Sequence, residues 1–141
     1  MFKSRTPTLV PVTDQARLAL RDRGEVRLTK FPFKVGRESR QEPAEGLRGE
    51  LERRLRLTPD LNTLYLLEPN SETMQISREH FTIDYRGGGY VLIDRGSACG
   101  TMVGEVAVGG DRKGGQTGLR DGDLIKVGRG SSPYVYRFVA P

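Results

Sequence analysis

Three short polar clusters in this 141-residue chain hold side chains able to do chemistry. Gly36-Arg37 closes an apolar run, Ser77-Arg78-Glu79-His80 opens another, and Ser97-Ala98-Cys99-Gly100-Thr101 follows a third. Arginine offers a planar fork of donors that meets a phosphate or carboxylate with parallel charge-assisted bonds. A serine hydroxyl adds one directional bond. A phosphate monoester carries about −1.5 to −2 charge near neutral pH and three acceptor oxygens. Arg37, Ser77, Arg78 and Ser97 held at one rim would bind such a group. The same arginines can also lie along a sheet or pair with Glu79, Asp84 or Asp94, and composition alone leaves both readings open.

His80 is the only histidine and Cys99 the only cysteine. A Ser77–His80 or Cys99–His80 nucleophile would need hydrogen-bond reach, an orienting acid and an oxyanion hole. Ser77 and His80 share one tight turn, where the imidazole more naturally bonds backbone, so no enzymatic activity is expected. Cysteine and histidine together number two, too few for a zinc site. Gly87-Gly88-Gly89 joins two strands rather than opening a helix, and the stretch 114–118 lacks the Lys-Ser/Thr of a phosphate loop. Neither a metal nor a cofactor is expected.

Positioning these groups falls to short strands. Phe81–Tyr85 and Tyr90–Asp94 alternate in hydrophobicity and are joined by Arg86-Gly87-Gly88-Gly89, a hairpin pattern. Its outer ends lie side by side, which brings the Ile76–His80 turn next to the Arg95–Gly100 turn. Further strands are expected at Ala16–Arg21, Glu25–Thr29, Phe33–Val35, Thr63–Leu67, Thr101–Val103, Val106–Val108, Leu124–Val127 and Tyr134–Val139. Residues Thr8–Val10 form at most an edge strand within a leader, Met1–Gln15, and Gly109–Gly118 reads as a loop. Glu38–Asn62 is a charged insert whose Leu47, Leu51 and Leu55 fall on one helical stripe. The many turns and short apolar runs argue one all-β domain, a sandwich, over Ala16–Val139.

A net charge of +5 favours acidic partners. The cations are spread along the chain without a basic block, and the few aromatics are not interleaved with them as a stacking platform requires, so nucleic acid is disfavoured. No apolar stretch approaches a membrane span, and the first residues lack a signal peptide's apolar region. A single cysteine allows no internal disulfide. A soluble, cytoplasmic protein is expected.

Gly36-Arg37, Ser77-Arg78-Glu79-His80, Gly100-Thr101 and Gly122-Asp123, with Leu124-Ile125 and Gly128 following, occur in the order and strand contexts of a forkhead-associated (FHA) domain, which this chain resembles over nearly its whole length. The resemblance implies an FHA-type β-sandwich of about eleven short strands whose apical loops recognise phosphothreonine peptides. It implies that Arg37 and Ser77 contact the phosphate and that Arg78 adds a second contact. It further implies that Gly36 and His80 brace the loops and that Ser97, Cys99, Gly100 and Thr101 form the last recognition loop. The implied partner is a phosphothreonine-containing protein, either a Ser/Thr kinase substrate or the kinase itself. The family often has Asn where Cys99 stands, and a thiol replaces an amide's donor and acceptor poorly. Phosphate capture is expected to survive that change, while peptide grip and selectivity are what it alters. A phosphate-independent interaction or self-assembly scaffold of the same fold is the alternative.

Overall fold

The computed structural model describes residues 6–39, 61–69 and 74–141. In chain order these form β1 (Thr8–Pro11), α1 (Asp14–Ala19), β2 (Val26–Arg27), β3 (Phe33–Arg37), β4 (Leu64–Leu66), β5 (Phe81–Arg86) and β6 (Gly89–Asp94). There follow β7 (Thr101–Val103), β8 (Val106–Val108), β9 (Gly115–Leu119), β10 (Leu124–Val127) and β11 (Val135–Val139). The eleven strands make a six-stranded sheet, β2-β1-β11-β10-β7-β8, and a five-stranded sheet, β4-β3-β5-β6-β9. The protein is therefore the all-β sandwich expected from the sequence.

Strand alternation decides what lies between the layers. Leu9, Ile125, Tyr136 and Phe138 face inward from one sheet, and Phe33, Val35, Phe81, Ile83 and Leu92 from the other, each no more than 3% exposed. Burying one such side chain contributes roughly 1.5–3 kcal/mol. This core fixes register, because a one-residue slip would turn every apolar side chain outward. Register in turn sets the geometry of the loops. Val35 pairs Phe81, Phe81 pairs Asp94, and Val127 pairs Thr101. The end of β3, the start of β5, the end of β6 and the start of β7 therefore meet at one end of the sandwich.

Three elements differ from the sequence reading. Ala16–Arg21, expected as a strand, lies instead largely in helix α1 and its C-cap. Thr13 caps that helix, its hydroxyl accepting from the Ala16 N–H at 3.1 Å, and Asp14 sits in the first turn. The buried residues are Ala16, Ala19 and Leu20, a helical spacing, while Leu18 is 56% exposed. The Tyr136 hydroxyl donates to the Ala16 carbonyl at 3.0 Å and ties the helix to the sheet. Gly115–Leu119, expected within a loop, is edge strand β9 and pairs along β6 from Asp94–Gly115 to Tyr90–Leu119. Thr8–Pro11 is an interior strand between β2 and β11 rather than an edge. The helix expected around Leu47, Leu51 and Leu55 lies outside the described residues.

Candidate functional site

The turn Ile76–His80 is laid directly on the end of β3. The Arg37 N–H donates to the Ser77 carbonyl at 2.9 Å, and the His80 N–H donates to the Val35 carbonyl at 3.0 Å. Gly36 makes this approach possible. A Cβ at that position would stand 1.9 Å from the Arg78 carbonyl oxygen and 2.6 Å from Asn62 Nδ2. Glycine before Arg37 is thus a packing requirement of the neighbouring turn. Arg37 itself is 9% exposed, at the end of the strand.

His80 is fully buried and acts as a strut between two loops. Its Nδ1 accepts from the Ser77 N–H at 2.9 Å, which assigns the proton to Nε2. Nε2 then donates to the Gly100 carbonyl at 2.7 Å. Burial holds the imidazole below its ordinary pKa, outweighing the Gly100 bond and the Asp94 carboxylate, which pull it up. The neutral tautomer suits both bonds, since a protonated Nδ1 could not accept.

The loop after β6 is built on Asp94. This buried carboxylate accepts from the Gly96 and Ser97 N–H groups at 3.0 and 2.8 Å. It also accepts from the Ser97 hydroxyl at 2.6 Å and the Thr101 hydroxyl at 3.0 Å. Gly109 packs against it so closely that a Cβ there would lie 2.5 Å from the Asp94 carboxyl carbon. Ser97 is consequently not a rim hydroxyl, which corrects its assignment from sequence. It is fully buried, its hydrogen goes to Asp94, and its oxygen accepts from the Gly100 N–H at 2.9 Å. Thr101, 1% exposed, likewise shapes the loop from inside.

Ser77 behaves differently. It is half-buried, and its hydroxyl accepts from the Ala98 N–H at 3.1 Å across to the facing loop. That leaves the hydroxyl's own hydrogen as the group it can offer a ligand. Arg78 is half-buried in the same turn, and Cys99 is half-buried at the loop crest with its thiol toward the Met74 carbonyl at 3.5 Å. Arg37, Ser77, Arg78 and Cys99 thus gather at one end of the sandwich, while Ser97, Gly100 and Thr101 hold the loop beneath them.

Several supports were not singled out from sequence. Asn62, 6% exposed, donates to the Arg78 carbonyl at 2.7 Å and accepts from Arg95. Arg95 also donates to the Leu61 carbonyl at 2.9 Å and to Glu79 at 2.8 Å. Burial pulls its pKa below the ordinary value, against the raising effect of Glu79. Glu68 accepts from the Gln75 and Ile76 N–H groups at 2.8 and 3.0 Å, fixing the chain just before Ser77. The Gly128 N–H shares the Gly100 carbonyl with His80, at 2.9 Å. Only Asp94, placed at a strand end before a Gly/Ser turn, carried a local signal; the partners of Asn62 and Glu68 are tertiary.

The arrangement offers a hydrogen-bonded cradle with Ser77, Arg78 and Cys99 half-buried at its surface and Arg37 beside them, groups suited to an anion. The FHA-domain family model matches residues 60–128. No curated protein matches the chain in sequence. Among solved structures, the chain is similar to EmbR of Mycobacterium tuberculosis in complex with a low-affinity phosphopeptide, at 18% identity and a TM-score of 0.57. That match covers 98% of this chain and 25% of EmbR. The FHA domain of CT664 from Chlamydia trachomatis matches at 18% identity and 0.57, covering 96% of this chain and 98% of that one. A domain described in terms of phosphothreonine-dependent FHA interactions matches at 19% and 0.56, covering 96% and 97%.

Proposed function

We propose that this chain, an FHA domain in fold and in its family match, binds phosphothreonine-containing protein segments through the Arg37–Ser77 end of the sandwich. One observation carries the reading. The Gly36-Arg37 strand end, the Ser77–His80 turn and the Ser97–Thr101 loop are tied into one unit by the Arg37–Ser77, Ser77–Ala98 and His80–Gly100 hydrogen bonds. Arg37 and Ser77 contact the phosphate and Arg78 adds a second phosphate or peptide contact. His80 braces the turn without touching ligand. The partner is a protein phosphorylated by a Ser/Thr kinase, or the kinase itself, met in the cytoplasm. The EmbR complex and the phosphothreonine-dependent FHA domain support this by likeness of fold.

The test is calorimetric binding of a phosphothreonine peptide library and its unphosphorylated twin to wild type, Arg37→Ala and Ser77→Ala. Losing one charged hydrogen bond costs about 1.5–3 kcal/mol, so Arg37→Ala is expected to weaken binding by about 10- to 100-fold. Equal binding of the two libraries would overturn the reading. It would favour a phosphate-independent scaffold, for which Cys99 at the loop crest is the specific observation.

A further inference from the structure

The outward face of the six-stranded sheet has a composition that the phosphate rim does not use. Leu9, Ile125, Tyr136 and Phe138 point into the core, so their strand neighbours Val10, Leu124, Val135, Arg137 and Val139 point out. Lys126 and Met102 stand beside them, paired across β10 and β7. Val12 continues β1, its N–H donating to the Val135 carbonyl at 2.9 Å, and Arg27 pairs Thr8 at the β2 edge. Val12, Leu124 and Val139 are 48, 39 and 36% exposed.

Every charged side chain on this face is a cation: Arg27, Lys126 and Arg137. None joins an ion pair among the described residues, and Lys126 only donates to the Gly130 carbonyl, at 2.8 Å. The outward face of the other sheet carries an acid among its cations by contrast, Asp84, paired with Arg86 at 2.9 Å beside exposed Lys34. Positive charge interleaved with valine and leucine, and no acid between, is complementary to an acidic chain that carries apolar residues of its own.

Other occupants fit less well. A second copy would oppose like charges. Six strands about 4.8 Å apart and two to five residues long also offer roughly 300–350 Å², below the ~800 Å² per partner of a stable dimer. A membrane surface favours aromatic or long apolar side chains that insert, and this face has no aromatic residue. We propose that the outward face of the six-stranded sheet docks an acidic, apolar-studded segment of a partner protein. It lies on the flank of the sandwich, with its Met102–Lys126 row bordering the loop end and the rest farther along the strands.

The experiment titrates the whole 15N-labelled chain with a short unphosphorylated peptide in which Glu alternates with Leu, followed by amide shifts. Shifts are expected at Val10, Leu124, Val135 and Arg137 and not at Ser77–His80. Binding should weaken by about tenfold or more in Lys126→Glu/Arg137→Glu and as salt rises. Leu124→Ser, which leaves charge untouched, should weaken it as well, with melting curves verifying that each variant folds. Should the double variant unfold, Arg137→Gln replaces it. Shifts confined to the Ser77–Thr101 loops would overturn the proposal, as would equal binding of a Lys/Leu peptide. So would binding to phosphatidylserine vesicles without binding to the peptide, or self-association by this face with no peptide shifts.

Discussion

Gly36→Ala tests whether the site depends on backbone contact rather than on its charged side chains alone. The new methyl would sit 1.9 Å from the Arg78 carbonyl oxygen and 2.7 Å from the Arg78 carbonyl carbon. A carbon–oxygen contact needs more than 3 Å, so the turn must retreat by about 1 Å or more. The obstacle is backbone and cannot rotate aside. Retreat strains the Arg37–Ser77 hydrogen bond and the Asn62–Arg78 bond, at 2.9 and 2.7 Å. Overpacking costs about 1–3 kcal/mol and each weakened bond about 1, against which alanine's lower unfolded entropy returns about 0.5–1. The expected net loss is about 2–4.5 kcal/mol, or a melting point lower by roughly 10–15 °C. Gly24→Ala is the control, because a Cβ there meets nothing within 4 Å. Calorimetric melting and phosphothreonine-peptide titration, done below the variant's transition, read the two consequences. The folded Gly36→Ala protein should bind at least about tenfold more weakly, since Ser77 and Arg78 move together. If it melts and binds like Gly24→Ala, the turn is not held against β3 as described and the reasoning fails.

Asp94→Asn should cost about 2–4 kcal/mol, read as a shifted urea midpoint, because an amide cannot accept the four bonds the carboxylate now accepts. Ser97→Ala should lower stability without direct loss of a phosphate ligand, whereas Ser77→Ala should lower affinity by more than it lowers the melting temperature. For His80 the sign follows from its depressed folded pKa. Below about 6.5 the unfolded chain takes up a proton that the folded chain refuses, so stability is full above that pH and is lost as pH falls beneath it. The slope from this group is at most about 1.4 kcal/mol per pH unit, and it should vanish from the wild-type minus His80→Gln difference in urea unfolding measured from pH 7.5 to pH 5.5.

The sequence made strands legible where alternation and turn residues agreed, as in Phe81–Asp94 and Leu124–Val127. It misled where one pattern served two periods. Ala16, Leu18 and Leu20 alternate, yet Ala16, Ala19 and Leu20 are the buried set, and the Thr13 cap and the Tyr136 hydroxyl settle the helix. Strand β9 was hidden because only Leu119 is buried in it; its strand character comes from pairing with β6, a tertiary fact. At the site, residue types indicated an anion rim but could not sort rim hydroxyls from buried ones. Ser77 and Ser97 look alike in sequence, and only the position of Asp94 separates them.

That separation bears on Cys99. The resemblance to FHA domains implies asparagine where Cys99 stands, with its amide holding the bound peptide's backbone. In this chain the loop's shape does not pass through position 99. Asp94 holds the Gly96 and Ser97 N–H groups and two hydroxyls, Ser97 holds the Gly100 N–H, and the Gly100 carbonyl is held by His80 and Gly128. The thiol contributes only a 3.5 Å contact to the Met74 carbonyl. Exchanging the crest side chain therefore leaves the hydrogen-bonded cradle standing and changes what its surface would present to a bound peptide. Cys99→Asn should accordingly leave the melting temperature within about 2 °C of wild type while raising affinity for phosphothreonine peptides, as an amide supplies a paired donor and acceptor to a bound backbone. A variant that melts much lower would show that the thiol is part of the loop's support. An unchanged affinity in a well-folded variant would show that this crest does not touch peptide at all.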